Sequence, residues 1–256
     1  MSAKFRLSVL FLIFTILLVG CRTKTVNQVK PNPEAPKIIL WAWERHENLR
    51  FLDAEKYGVA FIAQRLFLRE DEVVFHPRRQ PLEINPDVYL IAVTRIETDR
   101  TRRPSFSETQ KKQTIELIAQ TLRRPNVKAL QLDFDALVSE RNFYKSLVRD
   151  LRAKIAENVP LTVTALASWC AGDTWLNDLP IDEAVPMAFR MGADDKAIRD
   201  FLEKGNDWRE PLCRGSYGIA LDEPLKMNFR KDRRFFLFKN EAWKAEDLQK
   251  LPEGIS

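Results

Sequence analysis

The stretch Val127-Lys-Ala-Leu-Gln-Leu-Asp-Phe-Asp-Ala136 constrains the fold more than any other part of the chain. Successive side chains of an extended segment point to opposite faces, so Leu130, Leu132 and Phe134 share one face and Gln131, Asp133 and Asp135 the other. If helices cover the apolar face, the polar face must line something narrow and enclosed. In an α/β barrel it looks into the barrel and up toward its C-terminal mouth, the end at which such barrels carry their active sites. The spacing therefore predicts a barrel with Asp133 and Asp135 at the floor and rim of a polar pocket.

The rest of the chain supplies the other strands. Lys37 to Arg45 reads as a first strand followed by a short helix from Glu47 to Lys56, and Gly58 to Leu68 as a second strand. Glu70-Asp71 then reads as a turn and Glu72 to Pro77 as a returning strand, a β-hairpin in place of a helix. Asp87 to Glu97 is a third barrel strand. Ser107 with Gln110 forms a capping box that opens a helix to Arg124, where Pro125 stops it. Ser139 is placed to cap a helix with Phe143, Leu147, Leu151 and Ile155 on one face. Strands five to eight are expected at Leu161 to Trp169, Glu183 to Met191, Ser216 to Glu223 and Arg234 to Lys239. Helices are expected at about Asp173 to Asn177, from Asp194 to near Gly205, and from Glu241 to Leu251. Eight strands with mostly helical returns in about 215 residues fit a (β/α)8 TIM-type barrel with a hairpin insertion after strand two, near the small end of the range. An open doubly wound sheet is the alternative, because two crossovers lack an obvious helix.

The first twenty residues stand outside that domain. Lys4 and Arg6 precede an apolar run from Val9 to Val19 that only Thr15 interrupts, and Leu18-Val19-Gly20-Cys21 follows the order of a bacterial lipoprotein signal. Cleavage before Cys21, with a diacylglycerol on its thiol, is expected. The apolar run is short of the roughly 20 residues that span a bilayer. Arg22 stands where an Asp would favour inner-membrane retention, so the expected place is the outer membrane, facing the periplasm. Residues 21–36, with Pro31, Pro33 and Pro36, read as the lipidated cysteine and a flexible tether, leaving 37–256 as a single barrel domain.

Within a barrel, polar residues at the C-terminal ends of strands mark chemistry. The predicted strands deliver Trp43 and Glu44, then Arg95 and Glu97, then Asp133 and Asp135, then Ser168 and Trp169, then Arg190, then Asp222 and Glu223. Indole faces stack on sugar rings, and two carboxyl groups can divide acid and base or nucleophile duties across a glycosidic bond. Asp133, Asp135, Glu97 and Glu223 are therefore the candidate catalytic groups, and Trp43, Glu44, Arg95, Trp169, Arg190 and Asp222 the candidate substrate contacts. The competing reading is an internal ion-pair layer in which Arg95 and Arg190 neutralise Asp133 and Glu97 and bind nothing.

Four blocks, Trp41-Ala-Trp-Glu-Arg45, Leu130-Gln-Leu-Asp-Phe-Asp-Ala136 with Ser139-Glu-Arg141, Ala165-Leu-Ala-Ser-Trp-Cys170 and Glu183-Ala-Val-Pro-Met-Ala-Phe-Arg-Met-Gly192, resemble an uncharacterised bacterial family, domain of unknown function 3142. That resemblance implies no assigned activity. More distantly, Asp133 and Asp135 are similar to the two aspartates of the D-x-D-x-E pattern of chitinase-type glycoside hydrolase barrels. Met187-Ala-Phe-Arg190 resembles their sixth-strand Met-x-Tyr-Asp. Leu137 occupies the place of the catalytic glutamate, so the proton donor of those enzymes has no counterpart here. Another carboxylate, such as Glu97 or Glu223, would have to serve, or the barrel only binds.

Other chemistries find little support. The formal charge of +5 falls to +3 once Lys4 and Arg6 are removed, too weak a balance to call for nucleic acid. With only two histidines, His46 and His76, neither a Ser-His-Asp triad nor a histidine-rich zinc site is expected. No glycine-rich phosphate loop occurs, and no metal or cofactor is called for by the spacing of Asp133 and Asp135. Cys170 and Cys213 are an even pair in an oxidising compartment, which favours a disulfide. Strand counting opposes it, placing them at opposite barrel ends, beyond the roughly 7 Å that a bridge tolerates. The sequence thus reads as an envelope lipoprotein whose barrel binds, and as an enzyme would hydrolyse, a bacterial glycan. The alternative is a non-catalytic lipoprotein that docks a protein partner.

Overall fold

The computed structural model describes residues 28–256 other than 31, 174, 224, 252, 253 and 256, so the expected signal segment and Cys21 lie outside the described residues. In chain order the elements are β1 (Ile38–Ala42), β2 (Glu47–Asn48), β3 (Tyr57–Arg69), β4 (Glu72–Pro77), β5 (Leu82–Glu83), β6 (Tyr89–Thr98), α1 (Glu108–Gln120), β7 (Val127–Asp133), α2 (Arg141–Lys154), β8 (Leu161–Leu166), α3 (Ala167–Ala171), β9 (Glu183–Met187), α4 (Asp195–Glu203), β10 (Ser216–Ala220) and β11 (Arg234–Phe238). Eight strands run parallel in the order β1, β11, β10, β9, β8, β7, β6, β3, and β3 pairs back with β1 to close the ring. The fold is a (β/α)8 barrel. β4 adds antiparallel to β3 as the expected hairpin.

Alternation along each strand sorts side chains into an interior and an outer layer. Ile39 and Trp41, Ala60 and Ile62, Ile91 and Val93, and Phe236 and Phe238 pack inside. On β7 and just beyond it, Leu130, Leu132 and Phe134 face outward and are buried against Phe143, Leu147 and Leu151 of α2, as the pattern predicts. Phe134 meets the Tyr144 ring edge-on with centroids 5.1 Å apart. Gly218 lets β10 approach β9, because a Cβ there would sit 2.7 Å from the Pro186 carbonyl oxygen.

Several returns differ from expectation. Residues 47–56 form no helix. Glu47 is drawn inward as an acceptor for the Trp243 backbone N–H at 3.0 Å, and β2 pairs with β5. Ser107 does cap α1, accepting from the Gln110 backbone N–H at 3.2 Å, while the Gln110 side chain accepts from Phe106. Ser139 caps nothing: the turn before α2 is held by Glu140, whose carboxylate accepts from the Leu137 backbone N–H and from Thr98 Oγ1, each at 2.8 Å. The C-terminal helix is only a 3-10 turn at Ala245–Lys250.

Strand five ends at Leu166, earlier than predicted, and the chain turns at once into α3. That turn overturns the expectation for the cysteines. Cys170 is carried into the outer layer, where its carbonyl oxygen accepts from the backbone N–H groups of Arg209 and Glu210 at 2.9 and 3.1 Å. Cys213, a few residues on, is therefore brought within bonding distance, and the two form a disulfide with Cα atoms 5.8 Å apart.

The tether also behaves differently from the expectation over its described end. Residues 32–36 lie against the N-terminal end of the barrel, where Asn32 donates to the Tyr89 hydroxyl at 2.7 Å. Arg234 donates to the carbonyl oxygens of Pro36, Asn32 and Ala35 at 2.9, 3.0 and 3.3 Å. It also pairs at 3.3 Å with the buried Glu183. Burial raises the pKa of Glu183, with Arg234 pulling the other way.

Candidate active site at the barrel mouth

Position on a strand decides which polar groups reach the mouth. Asp133 ends β7 on the interior face and is only 3% exposed. Its two oxygens are both engaged: Arg95 Nη1 donates to one at 2.7 Å and Thr164 Oγ1 of β8 to the other at 2.8 Å. Asp135 lies one interior position further along, with 46% of its side chain exposed, and meets Arg95 only at 3.9 Å. The two carboxylates therefore differ in role before any ligand is considered.

Electrostatics sharpen the difference. Although nearly half of its side chain is open to solvent, the Asp135 carboxyl is partly desolvated by the surrounding mouth, and Asp133 and Glu97 disfavour a further negative charge. Arg95 opposes them, and the pKa is raised to about 6. Burial works against the charge on Arg95, but the field of Asp133 and the hydrogen bonds to Glu97 and Asp133 outweigh it, and its pKa rises above the ordinary value. Arg95 thus stays cationic as the hub of the cluster. Glu97 is held between two arginines, accepting from Arg95 Nε at 3.1 Å and from Arg65 Nη2 at 2.8 Å.

Asp133, Asp135 and Arg95 form one side of a cavity of about 460 Å³ at the C-terminal mouth. The other side is aromatic. Trp41 and Phe238 have centroids 4.7 Å apart, Trp41 and Trp43 5.6 Å, and Phe189 and Phe238 4.6 Å. Trp43 is fixed by donating from Nε1 to the Lys239 carbonyl oxygen at 3.0 Å. Arg190, Ser168 and Asp194 complete the rim. Among the described residues no group of three or more His, Cys, Asp or Glu side chains could hold a metal ion.

Of the residues the sequence singled out, Asp133, Asp135, Arg95, Trp43 and Arg190 converge on this cavity. Glu97 stands beside it. Glu223 is not among the lining groups: it accepts from Arg199 Nη2 at 2.6 Å and takes the Arg190 backbone N–H on both oxygens at 3.1 Å, holding Arg190 at a φ of 50°. It positions Arg190 and is not presented to a ligand. Asp222 accepts from the Asn240 side chain, which in turn accepts from Arg190. Glu44 turns away to accept from the Arg79 backbone N–H at 3.3 Å. Trp169 is buried on α3, edge-on to Trp175 at 4.8 Å, because β8 stops before reaching it.

Sequence reasoning missed Trp41, Phe189, Phe238 and Asp194. Two of them had a signal: Trp41 shares its face with Trp43, and Phe238 lies one interior position beyond Phe236. Asp194 reads as a helix opener, and does stand just before α4, but its side chain makes no capping bond and lines the cavity.

No family model matches the chain, and no curated protein is similar to it. Among solved structures, the spore cortex-lytic enzyme SleL of Bacillus cereus is similar at a TM-score of 0.47 and 12% sequence identity, over 75% of this chain and 52% of that one. The chain thus spans about half the length of the solved structure that it matches.

Proposed function

We propose that the chain is an envelope lipoprotein of the uncharacterised family it resembles, anchored through Cys21, whose barrel mouth binds a bacterial glycan. One observation carries the binding reading: an aromatic wall faces a carboxylate and arginine wall across a cavity of about 460 Å³. Such a volume lies in the usual range for small-ligand sites. Sugars are amphiphilic in the matching way, with C–H faces for aromatic rings and hydroxyl groups for charged hydrogen-bonding partners. A protein-docking lipoprotein would be expected to plug its mouth with its own Trp and Arg side chains, and here the cavity is open between them.

Hydrolysis is the second reading, favoured by Asp135, whose pKa of about 6 suits a group that gives up a proton near neutral pH. Asp133 is committed to Arg95 and Thr164, so a second catalytic carboxylate would come from elsewhere on the rim, where Asp194 lies. The test is to titrate the full chain with a panel of soluble bacterial glycans and to follow the release of reducing ends. We expect Trp43→Ala and Asp135→Ala to lose binding. No binding by the unaltered chain would end the glycan reading, binding retained by both variants would move it away from the mouth, and binding without new reducing ends would leave a lectin-like barrel.

The anchor has its own test. Among the described residues no helix is long and apolar enough to cross a membrane. The placement rests on the order of Lys4, Arg6, the apolar run and Cys21. Cys21→Ser is expected to leave the precursor uncut and free of lipid. A variant still processed at the same bond and still partitioning with lipid would overturn it.

A further inference from the structure

Above the barrel rim the sheet does not stop. β1 pairs with β3 only up to Ala42 and Phe61, whereas β3 continues to Arg69 between β6 and β4. The register of β3 on β6 slips between Ile62 and Gln64. This bulge resets which face each β3 side chain takes. Beyond it Arg65 lies opposite Arg95 and Phe67 opposite Glu97, with His76 and Val74 opposite them on β4. The back of this upright sheet is ordinary core: Leu66, Leu68 and Val73 are buried with Ile115 and Ile118 of α1. The front is open, with Phe67 half-buried and His76 exposed.

That front face is physically continuous with the cavity. Arg95 lines the cavity and shares Glu97 with Arg65. The Arg65 guanidinium lies 5.1 Å over the Phe67 ring, and the His76 ring meets Phe67 edge-on at 5.3 Å. At roughly 3.3 Å of rise per strand residue, Glu97 and Phe67 stand about 7 Å above the level of Arg95. A run of planar groups therefore leads up and out from the mouth.

We propose that this upright face is a second part of the binding site, so that the ligand is a chain glycan several units long, with one unit in the cavity and the next against Arg65, Phe67 and His76. The inference rests on the glycan reading above. The bulge turns Arg65 and Phe67 to the front, where His76 of β4 meets the Phe67 ring, and a single sugar in the cavity would not reach them.

Oligosaccharide ladders of glucose, N-acetylglucosamine and galacturonic acid, from the single sugar to the hexamer, test it by calorimetric titration of the full chain. The expected result is one ladder in which the hexamer binds at least about tenfold tighter than its single sugar. Phe67→Leu and His76→Ala should each shrink that ratio severalfold. His76 is exposed and its replacement leaves the fold intact, and Phe67→Leu keeps an apolar side chain on the strand while removing the ring. A flat ladder, or a ratio unchanged in both variants, overturns the extended site while leaving the cavity reading in place. If no ladder binds the unaltered chain, both readings fall together.

Discussion

Two aspartates two residues apart on one strand end serve different ends, and the difference is depth. Asp133 is buried with both oxygens bonded, so Asp133→Ala should strand Thr164 and leave Arg95 with Glu97 as its close partner. A cost of about 1–3 kcal/mol is expected, at the low end for a broken buried pair because Arg95 keeps that second acceptor. Near pH 4, where the Asp135 carboxyl is protonated in the folded protein, Asp135→Ala should stay within about 1 kcal/mol. Thermal melts on the two variants check the order. A pH series separates them further. The folded pKa of Asp135, about 6, lies above its ordinary 3.8, so between those values the folded state binds more protons than the unfolded one. Stability then falls as pH rises through the window and levels off above it, with no penalty below about pH 4. Asp135→Asn lacks this term. Its melting temperature should therefore gain on the unaltered protein as pH rises from about 4 to 6 and hold the gain beyond, and a difference that is flat with pH would refute the assignment. The facing of both aspartates was legible in the alternation of Leu130 to Asp135, and the pairing of Asp133 with Arg95 followed from the competing ion-pair reading of the strand ends. Trp169 was not, because which residue ends a strand depends on where the following turn begins, and residues 165–169 carry no breaker to mark it.

At the scale of elements, the strands, the hairpin and the helices α1, α2 and α4 were legible, and the return at 47–56 and the closing helix were not. Buried strands announce themselves by short apolar runs, and all eight barrel strands lie where such runs occur. A return is decided by what it packs against: residues 47–56 hold helix-compatible side chains, yet Glu47 is pulled inward to serve the Trp243 N–H and Asp53 turns the chain through the N–H groups of Lys56 and Tyr57. The cysteines failed for the same reason, since strand counting places residues along the barrel axis and says nothing of the outer layer into which α3 carries Cys170. The disulfide closes a sequence separation of 43 residues, which in the chain-entropy account contributes about 3–4 kcal/mol. Reductant should lower the melting temperature of the unaltered protein and leave that of the Cys170→Ala, Cys213→Ala double variant unmoved. Intact mass should rise by the two hydrogens of a reduced pair. Equal melts with and without reductant would mean that the bridge adds nothing to the fold.

Over the whole molecule, the two ends of the barrel are built on opposite rules. At the C-terminal mouth charged groups are left partly open beside aromatic rings, and a sheet face rises above the rim with no element packed on it among the described residues. At the N-terminal end the charges are consumed internally: Glu183 is buried against Arg234, whose remaining donors are taken by the chain entering the domain. Residues 32–36, which composition alone marks as a tether, are thus part of the barrel's floor, because a proline-rich segment poor in large apolar side chains can still offer backbone carbonyl oxygens and pack Ala35 against the interior. Residues 32–36 therefore bond to the barrel ahead of Lys37. A chain beginning at Lys37 would lose the Asn32 bond to Tyr89 and three carbonyl acceptors of Arg234, leaving that guanidinium to Glu183 and water. We expect it to melt lower than a chain beginning at Gln28 by an amount equivalent to about 1–3 kcal/mol. Arg234→Met in the longer chain should lose stability as well, since Glu183 would then be buried without its cation. If the shorter chain melts with the longer one, the entering segment is only laid against the floor and adds nothing to it. If it melts lower while the mouth still binds glycan, the floor is a stability device independent of the site, which is the division of labour that the fold predicts.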